Sequence, residues 1–458
     1  MQVDTVIRNG MIVSPEGVIP AGVAISGEKI AAVSADGNLP DAQRTIDAKG
    51  NFVIPGLVDS HVHFLYPLNG WEENLRSETQ AAAAGGCTTC IHLLTEHGAG
   101  SIVEGCKKVV DAFEANGYVD FSCTAFVANM DHVEEMRAAL EYGISAFKFL
   151  LPYKGRETMH GLPEIDDGIV YFGLKQIGSL VEEGYKTFAR IHAEGIEVFF
   201  RIEDRYKEQG MEPATYTEVR PAFIEEEAMH RVITFAKATN CPLYIVHLTI
   251  KEGPGIVARA RMEGVDIVAE TCPQYLVLNV DNTDKLVSKV NPPIRHREDN
   301  EALWKAVREG VIDYVATDHC GISRVDRGKE FWRAAVGMAG LETWLPIMLS
   351  EGVNKDRITL ERLVELCCYN PAKKYGLAPK KGMIAVGSDA DLVILDLNKK
   401  AKVSEKNLYT RARDFSCYEG WELQGWPILS MVRGNIVMED SQVVGKPGFG
   451  RFVPAKVK

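Results

Sequence analysis

Residues 53–64 read VIPGLVDSHVHF, an apolar run that ends in two histidines, His61 and His63, one residue apart. On a strand, residues i and i+2 face the same side, so the two imidazoles project together. Seen alone, such a pair can bind one metal ion, pack as ordinary satisfied polar residues, or arise by chance. The sequence beyond it separates these readings. From about residue 55 to 380, apolar runs alternate with amphipathic helical stretches, the texture of a parallel sheet covered by helices. Eight strand candidates can be counted: VIPGLVDSHVHF, CTTCIHLL, FSCTAFVA, ISAFKFLL, TFARIHAE, LYIVHLT, DIVAETCP and DYVATDHC. Eight such units are what a (β/α)8 TIM barrel requires, so the expected class is α/β.

The two ends have a different texture. VIRNGMIV, GVAIS and KIAAV near the start, and GSDADLVILDL and ILSMVRGNIVMED near the finish, read as short strands separated by turn-rich pieces. The expected organisation is a small β-sandwich from residues 1–54 and 382–440, a barrel domain over 55–381, and a C-terminal tail over 441–458.

Barrel enzymes carry their active sites at the C-terminal ends of the strands. Here those ends hold His61 and His63, Lys148, His192, His247 and Asp318. One histidine at a strand end is ordinary. Four histidines and an aspartate at corresponding ends point to a metal, because imidazole and carboxylate suit zinc and neighbouring first-row ions. Lys148 is unusual among them, since an ammonium repels cations. It is either an ion-pair partner or a carbamate formed with carbon dioxide, whose carboxylate head could bridge two metals.

A net charge of −12 argues against nucleic acid or an anionic membrane as partner, because both need a positive field. No apolar run approaches the 18 or so residues of a membrane span, and the N-terminus lacks a signal-like pattern, so a cytoplasmic protein is expected. The ten cysteines form no framework. Cys87 and Cys90 make a C-x-x-C inside an apparent buried strand, where packed reduced thiols are the simpler reading.

Together GLVDSHVHF, AFKFLLPYKG, RIHAEG, YIVHLTIKEG, AETCPQYL, VNPPIR, ATDHC, GSDADLVILD and YEGWELQG resemble the cyclic-amide branch of the amidohydrolase superfamily: dihydropyrimidinase, hydantoinase, allantoinase and, more distantly, dihydroorotase. The resemblance implies two divalent metals, usually zinc, bridged by carboxylated Lys148 and a hydroxide. His61, His63 and Asp318 would hold one metal, and His192 and His247 the other. Asp318 would also act as general base and acid, and Tyr153 would hydrogen-bond the oxyanion. It further implies a homotetramer in which the C-terminal segment reaches a neighbouring subunit. Non-enzymatic scaffold relatives of dihydropyrimidinase share the fold but have incomplete metal sites; every such position is filled here, which favours an enzyme.

For the substrate, dihydroorotases usually carry an arginine just after the His-x-His, where this chain has Phe64. Allantoinases share the NPPIR style of motif but lack the Tyr153 and PYKG context. Dihydropyrimidinases and hydantoinases have that tyrosine and bind the ring's amide edge through backbone near the positions matching Asn291 and Ala339, where serine and asparagine are more usual. Gln274 also replaces the histidine of the family's CPHY. The expected reaction is ring opening of a hydantoin or dihydropyrimidine to an N-carbamoyl amino acid, with allantoinase or another cyclic ureide hydrolase as the alternative. Phe64, Tyr66, Trp71 and Phe149 either line an apolar pocket for a ring substituent or fill the core.

Overall fold

The computed structural model describes residues 2–65, 70–155 and 163–458. Five strands come first: β1 (Val3–Ser14), β2 (Gly17–Ser26), β3 (Lys29–Ser34), β4 (Ala42–Asp47) and β5 (Phe52–Pro55). The barrel follows with β6 (Leu57–His63), β7 (Cys87–Leu94), β8 (Asp120–Phe126), β9 (Ala146–Leu150), β10 (Phe188–His192), β11 (Leu243–Ile245), β12 (Ile267–Thr271), β13 (Tyr314–Val315) and β14 (His319–Cys320). The parallel sheet runs β13-β12-β11-β10-β9-β8-β7-β6-β14. Its two outermost strands are the ends of a single segment, interrupted at Ala316–Asp318: β13 pairs with β12 through Glu270 and Tyr314, and β14 with β6 through His63 and Cys320. The sheet therefore closes on itself, and the eight runs read from the sequence are its staves.

Helices cover the outside. In Ile102–Asn116, Ser101 accepts a hydrogen bond from the Glu104 N–H at the start, and Ile102, Cys106, Val109 and Phe113 form the buried stripe. Phe149 and Phe64 belong to this core and do not line a pocket. Phe149 alternates with Lys148 along β9, so it points outward, and its ring would meet a Cβ placed on Gly173 at 2.5 Å. Trp71 is partly buried against the same core, and Tyr66 lies outside the described residues. Cys87 and Cys90 are buried thiols with Sγ atoms 3.5 Å apart, and all ten cysteines are free.

The chain returns through β15 (Leu392–Lys402), β16 (Glu422–Val432), β17 (Asn435–Glu439) and β18 (Gln442–Val443), giving a mixed sheet of order β18-β17-β16-β15-β5-β1-β2-β3 with β4 on β1. Period-2 alternation divides its side chains. Val53, Leu392, Ile394 and Met431 make a local core, while Ile54, Val393, Leu395 and Val432 join the barrel core. One face of this sheet thus anchors β5, and through it β6 and its two histidines. The tail runs across the N-terminal end of the same barrel, where Val453 N–H donates to Phe121 at 2.7 Å and Lys186 N–H to Val457 at 2.7 Å. No helix among the described residues is long and apolar enough to cross a membrane.

Candidate metal centre

His61, His63, Lys148, His192, His247 and Asp318 all line one cavity at the C-terminal mouth of the barrel. Leu150, Val290, Val336 and Cys320 add apolar wall, and Tyr153 and Asn291 add polar groups. The cavity holds about 40 Å³ of water-accessible space, enough for solvent at the donor atoms. A larger one of about 470 Å³ opens at the opposite barrel face around Thr187, Asp266 and Lys374, but it gathers no imidazole.

Two of the four rings, His61 and His192, are aimed by a carboxylate behind them. Glu270 accepts from His61 Nδ1 at 2.7 Å, which turns Nε2 into the cavity, 3.4 Å from Asp318 Oδ1 and 3.1 Å from Lys148 Nζ. His63 Nε2 lies 3.1 Å from the same Asp318 oxygen. The ligand atoms of His61, His63 and Asp318 fall within 4.8 Å of one another. His192 gives its Nε2 proton to Glu194 at 2.9 Å, leaving Nδ1 as the ring's remaining donor atom. His247 stacks on His61 at 5.5 Å between centroids, and its Nδ1 is buried with no hydrogen-bond partner. Two of these residues sit in left-handed backbone, with φ of 37° at His247 and 52° at Asp318. Non-glycine residues adopt that region at a cost, which concentrates at functional sites.

Burial strips charge from the nitrogen groups. It holds His61 well below the usual imidazole range, with Lys148 and Arg190 acting in the same direction, and does the same to His247 with His192 and Lys148. Burial lowers His63 and His192 as well, against the pull of Asp318 and Glu194. For Lys148, burial and then Arg190 push the amine well below its normal range, although Asp318 and Glu270 oppose them. Neutral imidazoles that reject protons yet face a carboxylate, one with an orphaned nitrogen, are what a divalent cation accepts as ligands. The residues fit a metal.

Three residues that support this site escaped the sequence reading. Glu270 also accepts from Tyr244 at 2.7 Å, Ser60 at 3.0 Å and the His247 N–H at 3.2 Å. Asp59 accepts from the Thr317 hydroxyl at 2.6 Å and the His61 N–H at 3.0 Å, tying β6 to the segment before Asp318; burial raises it to about 7. Burial works against the charge of Glu194, but Arg220 and His192 outweigh it and hold the carboxyl at about 2. Their signal was present: an acidic residue inside an apolar run, as in GLVDSHVHF and DIVAETCP, needs a buried partner.

Tyr153 and Asn291 stand at the cavity, with the Tyr153 ring edge-on to His192 at 5.6 Å. Ala339 does not; it lines a neighbouring hollow with His319, Glu342 and Thr410. Val336 and Gly337 occupy the wall instead. Gly337 has φ 131°, and a Cβ there would come within 2.7 Å of the Cys320 Cβ, so this close approach needs glycine.

A family model described as the amidohydrolase family matches residues 52–437. An L-hydantoinase of Paenarthrobacter aurescens is 34% identical over 98% of both chains, and an allantoinase of Bacillus licheniformis is 31% identical over 99% of this chain and 100% of its own. Among solved structures, the L-hydantoinase (dihydropyrimidinase) from Arthrobacter aurescens superposes with a TM-score of 0.90 at 33% identity, covering 99% of this chain and 100% of that one.

Proposed function

Because the chain belongs to the amidohydrolase family, we propose that it opens a cyclic amide by metal-dependent hydrolysis, with a hydantoin or 5,6-dihydropyrimidine as substrate and an N-carbamoyl amino acid as product. The observation that carries this reading is the convergence of four neutral imidazoles, Lys148 and Asp318 on one cavity. His61, His63 and Asp318 would hold one ion and His192 and His247 a second, with zinc the first candidate and manganese or cobalt compatible with the same donors. Such ions lower the pKa of water toward neutrality and polarise a carbonyl.

The chain's own groups then have defined tasks. Asp318 opens onto the cavity, where its carboxylate can take a proton from the attacking water and return it to the leaving ring nitrogen. Burial raises the Tyr153 phenol well above its usual range, so it keeps its proton and can donate to the oxyanion. The neutral Lys148 amine is the form that would add to carbon dioxide, releasing one proton and leaving a carbamate whose carboxylate would help hold the ions. Residues 55–381 would form this hydrolase domain, with 1–54 and 382–440 as its flanking β-domain. A cytoplasmic homotetramer completes the reading; a monomeric mass by light scattering would remove the tetramer from it.

The allantoinase relative supports a second ring as substrate. Both readings meet the same test, ring opening measured across hydantoin, 5-substituted hydantoins, dihydrouracil, allantoin and dihydroorotate with zinc and bicarbonate present. Preferred turnover of hydantoin or dihydrouracil is expected, preference for allantoin would replace it, and failure on all five with metal bound would overturn both.

A further inference from the structure

Asn291 lines the cavity beside Tyr153, with which its side chain interacts, and is only 4% exposed, yet its carboxamide Nδ2 makes no hydrogen bond of normal geometry. A buried donor left unsatisfied costs about 1–3 kcal/mol, a cost that a ligand can recover. Amide nitrogen and oxygen have nearly the same shape, so the surrounding network must determine which one faces inward. That network has one polarity. Arg220 can only donate, and its Nε donates to the Tyr216 hydroxyl at 2.8 Å. The Tyr216 hydroxyl in turn donates to the Asn291 Oδ1, 2.9 Å away. Inverting the amide would set an N–H against that hydroxyl and break this hydrogen bond. Arg220 is itself fixed, by Glu194 at 2.9 Å and by the Phe199 ring 4.3 Å from the guanidinium carbon. Glu194 also holds His192, so one carboxylate anchors both a proposed ligand and the relay.

We propose that Tyr216, oriented by Arg220, is a positioning residue that locks the Asn291 carboxamide nitrogen-inward, making its N–H a second donor beside Tyr153 for the ring carbonyl oxygen. This rests on the cyclic-amide reading and adds to it a side-chain donor where backbone recognition was expected. Two fixed donors on an oxygen that gains charge stabilise it without reorganising. A flipped amide would present an acceptor to the same oxygen and repel it.

The test combines neutron diffraction from deuterium-exchanged, metal-loaded crystals with kinetics on hydantoin. The amide deuterons are expected on the Asn291 atom facing the cavity. Tyr216→Phe keeps the ring and its packing, and its kcat is expected to fall about tenfold with KM nearly unchanged, while Asn291→Asp falls about a hundredfold. Oxygen facing the cavity, or an unchanged kcat in Tyr216→Phe, would overturn the proposal. Nitrogen facing inward in a protein that opens no ring would support the locked donor and reject the cyclic-amide reading.

Discussion

Two buried clusters at opposite ends of the barrel each combine aspartate with a buried lysine and settle their charge in opposite ways. At the N-terminal end, Asp120, Asp389 and Asp391 surround the Lys381 ammonium at 2.6, 3.0 and 2.7 Å, and Arg433 reaches Asp120 at 3.0 Å. At the mouth, Asp318 meets two histidines, and the nearby lysine is Lys148. Burial disfavours charge on both lysines, but three carboxylates outweigh it for Lys381 and raise its pKa, whereas Lys148, beside Arg190, is pushed down. A buried lysine enclosed by carboxylates is held as a cation; one among imidazoles is driven toward the neutral amine. The first cluster is complete within the protein, and the second presents donor atoms to something the protein does not itself supply.

This contrast is most exposed at Asp318. Asp318→Asn is expected to lower kcat by up to about 10⁴-fold while leaving thermal unfolding unchanged or slightly improved. Turnover at wild-type level in that variant would remove the distinction. Lys381→Met should do the reverse, costing about 3–5 kcal/mol in urea unfolding because three buried carboxylates lose their cation, with kcat per folded molecule unaltered. Tyr153→Phe is expected to lower kcat by about 10²–10³-fold at constant stability. Glu270→Gln should weaken metal binding by about 10–100-fold in a chelator competition, since the carboxylate aims His61 from behind.

Glu342 is an intermediate case and gives the smallest effect. It accepts from the Tyr409 and Thr410 N–H groups without a cation, and burial raises it to about 8 from 4.5. The folded form therefore retains its proton longer than the unfolded chain does. The stability this contributes is full below about 4.5 and is lost as pH rises through about 8. Glu342→Gln should flatten that slope by on the order of 1 kcal/mol between pH 5 and 8, measured by unfolding at each pH. An unchanged slope would place the pH dependence elsewhere.

The cluster at the barrel mouth was legible because polar residues at the ends of apolar runs stand out against a pattern that packing alone explains. The same logic reaches Asp59 and Glu270, but only if each buried acid is assigned a partner, and those partners lie 258 and 209 residues away in the chain. Phe149 could have been set aside by alternation, since Lys148 and its neighbour cannot both face inward. Ala339 lies on a segment with no periodicity, where the close contact between Gly337 and Cys320 brings Val336 and Gly337 to the cavity wall. Tyr216 and Arg220 carry no motif of their own; their relevance comes from hydrogen-bond polarity, which exists only in three dimensions.

The most direct measurement is ring opening of hydantoin and dihydrouracil by chelator-stripped protein as zinc is returned in the presence of bicarbonate. Turnover should be absent without metal and should reach a plateau at two equivalents per chain; full turnover by the stripped protein would contradict a metal-dependent centre at the barrel mouth.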